Sequence, residues 1–168
     1  PLVLKMHQVL SVHKTIQLKK DGKSSVLWGH IQRSGKSYII AGAIIEDSCG
    51  LDNCNYLVLT TAPRETIDQY VDVFNHSQFY DFNIIVLNGN NKKPIIKNKN
   101  IIICSKQFLQ SKINKGSNKG YEKPKNIGWL KKISFDMRFI DESHNGGTTE
   151  LAQKTLEYYG NDSFTVQI

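Results

Sequence analysis

The amino-acid sequence predicts an α/β domain in which a mainly parallel central sheet is flanked by helices in three layers. At least five short apolar runs of strand-like composition alternate with helical segments, a pattern typical of parallel sheets. A Gly-Lys-Ser turn opens this series. The length of 168 residues and the 39% hydrophobic content suit one ordinary globular domain.

Each element is predicted from its apolar pattern and its boundary residues. The predicted strands lie at 26–28, 55–60, 83–87, 100–105, 133–140 and 164–168. The predicted helices lie at 4–18, 38–45, 63–74, 108–113 and 148–159. The third helix presents Ile67, Tyr70, Val71 and Phe74 to the core, and Gly160 is expected to end the last helix as a C-terminal cap.

The segment Ser-Gly-Lys-Ser at 34–37 lies between the first apolar run and an apolar helix. This is the order of a phosphate-binding P-loop, in which backbone N–H groups and the helix N-terminus form an anion cradle. Lys36 would reach the β- and γ-phosphates of ATP, and the Ser37 hydroxyl would bind Mg²⁺. The predicted nucleotide-binding set is completed by Arg33, Ser34 and Gly35. His30 stands where the first glycine is usual, so a plain turn with an exposed lysine remains the alternative.

Two adjacent carboxylates, Asp141 and Glu142, end the predicted strand 133–140. We expect this strand to lie beside the strand that precedes the loop. Ligand sites in parallel sheets lie at the carboxyl ends of the strands, so the carboxylates and the loop would share one crevice. One carboxylate can hold Mg²⁺ through water, and its neighbour can orient the attacking water.

At these residues the chain resembles a known family. Asp141-Glu142-Ser143-His144 is similar to the Asp-Glu-x-His box of superfamily-two helicases and translocases, and Gly35-Lys36-Ser37 is similar to their motif I. His7-Gln8 resembles their upstream glutamine element, and the segment 60–66 stands where motif Ia falls. The resemblance covers nearly the whole chain as the first of the family's two RecA-like domains, which implies a RecA-like P-loop fold.

The resemblance also implies roles for individual residues. Gln8 would read the adenine edge, although a solvent-facing Gln8 is equally open. Asp141 and Ser37 would hold Mg²⁺, Glu142 would position water, and His144 would sense the γ-phosphate. The predicted catalytic set consists of Lys36, Asp141, Glu142 and His144. Contacts to a nucleic-acid backbone would come from Thr61, Pro63, Arg64, Ser105 and Lys106.

In this family, motif III and the arginine fingers of the second RecA-like domain complete the ATPase. The motif III position would fall just past the strand 164–168, and neither part occurs within this sequence. An arginine finger typically contributes about 10³–10⁵ in rate. We therefore expect the chain by itself to bind nucleotide weakly and to hydrolyse it slowly, as a fragment of a larger two-domain motor.

The net charge of +7 favours an anionic partner, and DNA or RNA is the commonest one. A lysine-rich composition typical of AT-rich genomes is the other explanation. Residues 114–126 are predicted to be a flexible basic insertion, which either grips phosphates or is only solvated. The sequence holds no apolar run of about 18 residues and no signal-peptide pattern, so an intracellular location, cytoplasmic, nuclear or viral, is expected.

Three cysteines, an odd number, favour free thiols over a disulfide framework. Cys49 and Cys54 flank a short loop, so a bond between them or a metal role stays open. Two other functions also remain open. One is a small-molecule or nucleotide kinase, although three arginines are few for an arginine-rich lid. The other is a non-catalytic P-loop module that only grips nucleic acid.

Overall fold

The structure of the protein is a computed structural model. It describes residues 2–28, 35–60, 64–87, 93–106, 108–109, 128–141 and 156–168, with the backbone alone at 64–66. The loop residues 29–34, the box residues 142–144 and the basic insertion 114–126 lie outside the described residues.

Helices and strands alternate along most of the described chain, as the apolar pattern predicts, but the strands at 83–87 and 99–105 follow each other with no helix among the described residues between them. The helices are α1 (Met6–Lys20), α2 (Lys36–Ser48), α3 (Arg64–Phe74) and α4 (Gly128–Lys131), with a 3-10 helix at Ser77–Phe79. The strands are β1 (Ser25–Leu27), β2 (Cys54–Thr60), β3 (Asn83–Leu87), β4 (Lys99–Ser105), β5 (Met137–Ile140) and β6 (Phe164–Gln167). Residues 108–109 and 156–158 are also helical.

The six strands form one sheet in the order β1-β6-β5-β2-β4-β3, and every pairing is parallel. All their carboxyl ends therefore meet at one edge. The expectation that β5 lies beside β1 is wrong, because β6 inserts between them and pairs with both. The residues that follow β1 and β5 still reach the same edge, since strand direction rather than adjacency decides which ends coincide.

Helices cover both faces of the sheet, which confirms the three-layer α/β prediction. Side chains alternate along β2, so Tyr56 and Val58 join the core under α1, α2 and α3. Leu57 and Leu59 join the opposite core with Leu130 of α4. A strand buried on both faces is apolar at successive residues, so such strands occur in the sequence as continuous apolar runs.

Close packing brings α1 against α2 on the first face. A Cβ atom at Gly42 would lie 2.6 Å from Leu4 Cδ1 and 3.0 Å from Val12 Cγ2, so a larger residue there would force the Leu4 side chain to move. The indole N–H of Trp28 donates a buried 2.8 Å hydrogen bond to Thr15 Oγ1 of α1. This bond ties the second half of α1 to the residue that follows β1.

A buried guanidinium ties β5 to the last helical segment on the second face. Arg138 donates from Nη1 to the carbonyl oxygens of Leu156 and Tyr159, each at 2.6 Å, and from Nε to Thr165 Oγ1 at 3.1 Å. Burial lowers the pKa of Arg138 to about 10. Gly160 follows with a φ of 71°, the left-handed conformation predicted for a helix cap.

Candidate nucleotide site

The turn into α2 lies at the carboxyl edge of the sheet. Gly35 adopts a φ of 71° and a ψ of 50°, a left-handed conformation that glycine adopts without steric cost. Its carbonyl oxygen accepts hydrogen bonds from the N–H groups of Tyr38 and Ile39, at 3.0 and 3.2 Å. Lys36 and Ser37 are the first residues of this 13-residue helix, and both are partly buried. The helix N-terminus therefore faces the edge where an anion would sit.

An ion pair joins this turn to the residue after β5. Lys36 Nζ lies 2.9 Å from Asp141 Oδ1, and the exposed fractions of the two side chains are 34% and 3%. The backbone N–H of Asp141 donates to the carbonyl oxygen of Leu59 at 2.8 Å, so Asp141 continues the pairing of β5 with β2. The structure thus brings together the lysine and the first carboxylate that the sequence singled out.

The second oxygen of Asp141 has a different partner. The hydroxyl of Tyr70, on α3, donates to Asp141 Oδ2 at 3.1 Å. Burial, followed by the charge and hydrogen bond of Asp141, raises the pKa of Tyr70, so its hydroxyl remains a donor at neutral pH. The apolar pattern of α3 predicts Tyr70 only as a core residue. The available signal was a tyrosine within an apolar helix face, because a buried hydroxyl normally has a partner.

A buried hydroxyl lies beside this carboxylate. Thr60 is the last residue of β2, and the register that pairs Leu59 with Ile140 makes Thr60 the neighbour of Asp141. Thr60 is 0% exposed, and its Oγ1 has no hydrogen-bond partner among the described residues. An unsatisfied buried oxygen next to a carboxylate is consistent with an edge built to receive polar ligands.

The chemistry of these residues fits a magnesium-bound nucleotide. Mg²⁺ prefers hard oxygen ligands and is usually held by one or two carboxylates together with substrate phosphates and waters. Asp141 supplies a carboxylate, Ser37 a hydroxyl and Lys36 a cation for phosphate. The described residues contain no group of three or more His, Cys, Asp or Glu side chains that would hold a metal by themselves. A carboxylate and a hydroxyl near a helix N-terminus are groups that a phosphate-bound Mg²⁺ can use.

Gln8 is buried against the same turn. It is 5% exposed, and its Oε1 accepts a 2.9 Å hydrogen bond from the backbone N–H of Lys5. A Cβ atom at Gly35 would lie only 2.7 Å from Gln8 Nε2. The alternative of a solvent-facing Gln8 is therefore wrong. The role of Gln8 in reading adenine stays a prediction.

The other predicted site residues are only partly described. Ser105 Oγ accepts a 3.1 Å hydrogen bond from the N–H of Phe108, and Lys106 is 5% exposed. Arg64 begins α3, and its side chain is outside the described residues. The remaining predicted residues outside the described ranges are Arg33, Ser34, Thr61, Pro63, Glu142 and His144. Their roles, like the backbone contacts of Ser105 and Lys106, stay predictions.

The three cysteines are free, as predicted, with Cys49 exposed and Cys54 and Cys104 buried. Within the described ranges, no helix combines the length and apolar character needed to cross a membrane.

A parallel sheet with a glycine turn and an ion pair at its carboxyl edge is typical of P-loop domains in general. The family match identifies the class, the first RecA-like domain of the superfamily-two helicases and translocases. The chain belongs to the family described as type III restriction enzyme, res subunit, whose model matches residues 1–167. No curated protein sequence matches the chain significantly.

A solved structure confirms the fold. The chain is similar to the Sulfolobus solfataricus SWI2/SNF2 ATPase core in complex with dsDNA, with a TM-score of 0.66 and 15% sequence identity. The match covers 98% of this chain and 31% of that chain. This chain therefore spans about a third of the length of that protein, and at this identity the likeness concerns the fold alone.

Proposed function

We propose that this chain is the ATP-binding domain of a DExH-type, nucleic-acid-dependent ATPase that moves along or unwinds DNA or RNA. The observation that carries the proposal is the 2.9 Å contact between Lys36 and Asp141 at the carboxyl edge of the sheet. Family membership supports ATP as the substrate. Duplex DNA is the first partner to test, because the similar SWI2/SNF2 core was solved with dsDNA.

Each of the proposed site residues has its own role in ATP binding or hydrolysis. Lys36 neutralises charge on the β- and γ-phosphates from the first turn of the helix that follows Gly35. Asp141 and Ser37 would hold Mg²⁺, directly or through water, and Glu142 would orient the attacking water. Mg²⁺ itself offsets the negative charge that develops on the phosphoryl oxygens. His144 responds to the presence of the γ-phosphate.

Motion along a strand needs more than this domain. We propose that a second RecA-like domain of the parent protein closes over the nucleotide. The segment that contains Thr61, Pro63 and Arg64, together with Ser105 and Lys106, would contact the nucleic-acid backbone. The formal charge of +7 supports an anionic partner.

The test is phosphate release from ATP by the full-length protein, with and without duplex DNA or single-stranded RNA. Lys36→Ala and Glu142→Gln are each expected to lower stimulated ATPase about a hundredfold or more, because both remove groups that act on the reacting phosphate. Lys99→Ala is the matched control. Its ammonium lies 2.8 Å from Asp81 Oδ2, but Lys99 begins β4 and so lies at the opposite edge of the sheet.

Two results would contradict the proposal. Wild-type ATPase in both Lys36→Ala and Glu142→Gln would remove these residues from the mechanism. Nucleotide binding by the wild-type protein without any phosphate release, with or without nucleic acid, would instead favour a non-catalytic P-loop module.

A further inference from the structure

Each oxygen of the Asp141 carboxylate has its own donor. Lys36 lies 2.9 Å from Oδ1, and the Tyr70 hydroxyl lies 3.1 Å from Oδ2. Lys36 comes from the turn where a nucleotide would bind, whereas Tyr70 comes from α3 and approaches from the interior. The oxygen directed to the site is therefore Oδ1, and the oxygen directed to the core is Oδ2.

The hydroxyl of Tyr70 is held rigidly. The residue is 1% exposed, and its ring stacks on that of Phe74 with an interplanar angle of 19° and a centroid distance of 6.4 Å. A phenol ring has few rotatable bonds, so a packed ring fixes the position of its oxygen. A hydrogen bond from such a donor fixes the plane of the carboxylate that accepts it.

We propose that Tyr70 is a positioning residue for Asp141, fixing Oδ2 so that Oδ1 is presented to Mg²⁺ at the nucleotide. This inference rests on the proposed function and extends it to a residue that lies outside the glycine turn and the acidic box. Partners that orient a metal-binding carboxylate typically change metal affinity by 10–100-fold when they are removed.

The chain contains a second arrangement of the same chemistry, which supplies the control. Asp47 Oδ1 lies 2.5 Å from Lys19 Nζ, and Asp47 Oδ2 accepts a 2.7 Å hydrogen bond from the hydroxyl of Tyr56. Tyr56 is 0% exposed, so its hydroxyl is as buried as that of Tyr70. This lysine–aspartate–tyrosine group lies at the end of α2 away from the turn.

The experiment measures the affinity of the full-length protein for a non-hydrolysable ATP analogue by calorimetry, over a range of Mg²⁺ concentrations and in EDTA. Tyr70→Phe is expected to raise about tenfold the Mg²⁺ concentration at which half of the Mg²⁺-dependent gain in analogue affinity is reached. Affinity in EDTA should stay at the wild-type value. Tyr56→Phe is expected to leave both quantities unchanged, while thermal unfolding shows similar losses of Tm for the two variants.

A double variant separates positioning from general stability. In an Asp141→Asn background, Tyr70→Phe is expected to cause no further loss of Mg²⁺-dependent binding. Equal Mg²⁺ dependence in Tyr70→Phe and wild type, or equal changes in Tyr70→Phe and Tyr56→Phe, would overturn the inference and leave the proposed function standing. If the nucleotide affinity of the wild-type protein did not depend on Mg²⁺, both the inference about Tyr70 and the proposed function would be overturned.

Discussion

The contact between Gly35 and Gln8 can be tested by adding one carbon atom. In Gly35→Ala, the new Cβ would lie 2.7 Å from Gln8 Nε2, closer than side chains tolerate. The backbone at Gly35 also has a φ of 71°, where a non-glycine residue costs about 1–2 kcal/mol. Displacing the Gln8 amide also breaks the hydrogen bond that it accepts from the N–H of Lys5. The loss of this bond costs about 0.5–1.5 kcal/mol more. We therefore expect a loss of about 2–3 kcal/mol in the free energy of unfolding.

Gly50→Ala is the matched control for this prediction. Gly50 has a φ of 81°, and a Cβ there would meet nothing within 4 Å, so it carries only the conformational cost. The difference between the two variants, about 1 kcal/mol, isolates the contact with Gln8. Urea unfolding gives both free energies, and calorimetry with an ATP analogue should show weaker binding in Gly35→Ala alone.

A second substitution removes the side chain that the new Cβ atom would meet. Gln8→Ala in the Gly35→Ala background removes the clashing amide, so Gly35→Ala should then cost no more than Gly50→Ala. If Gly35→Ala and Gly50→Ala lost the same free energy of unfolding and bound the ATP analogue equally well, Gln8 would not be in close contact with Gly35.

Two further predictions concern packing and thiol chemistry. Gly42→Ala is expected to lower the free energy of unfolding by about 1–3 kcal/mol in urea, because its Cβ would lie 2.6 Å from Leu4 Cδ1, and Leu4→Ala in the same chain should recover most of the loss. A loss that persists with Leu4→Ala would place the strain elsewhere. Only Cys49 is expected to react quickly with a thiol reagent in the native protein, since the other two cysteines are buried and burial raises the pKa of both thiols. Cys49→Ser should remove the fast phase, and rapid labelling of all three thiols would contradict the packing.

Much of the fold could be predicted because most of the strands carry apolar side chains on both faces. Runs such as Asn83–Leu87 are apolar enough to be recognised without an alternating pattern, and that strand has the predicted limits. The order of the strands could not be predicted in full. The placement of β6 between β1 and β5 depends on pairing across distant segments, and no local pattern in Phe164–Gln167 records its neighbours.

Some residues of the candidate site could likewise be predicted from the sequence, and others could not. Lys36 and Asp141 were predicted because their types and order match a chemistry that needs a cation and a carboxylate at one edge. Tyr70 was not predicted as a site residue, because helical periodicity identifies the face that a side chain occupies but not the partner of its hydroxyl. The burial of Gln8 results from the packing of α1 against the turn at Gly35, which no local sequence pattern records.

The most direct measurement is a crystal structure of the full-length protein with a non-hydrolysable ATP analogue and Mn²⁺ in place of Mg²⁺, using the anomalous signal to locate the metal. The proposed function predicts one metal bound to Asp141 directly or through a water, with the Lys36 ammonium moved onto the β- and γ-phosphates. A triphosphate and metal bound away from the turn at Gly35, with Lys36 still paired to Asp141, would contradict it.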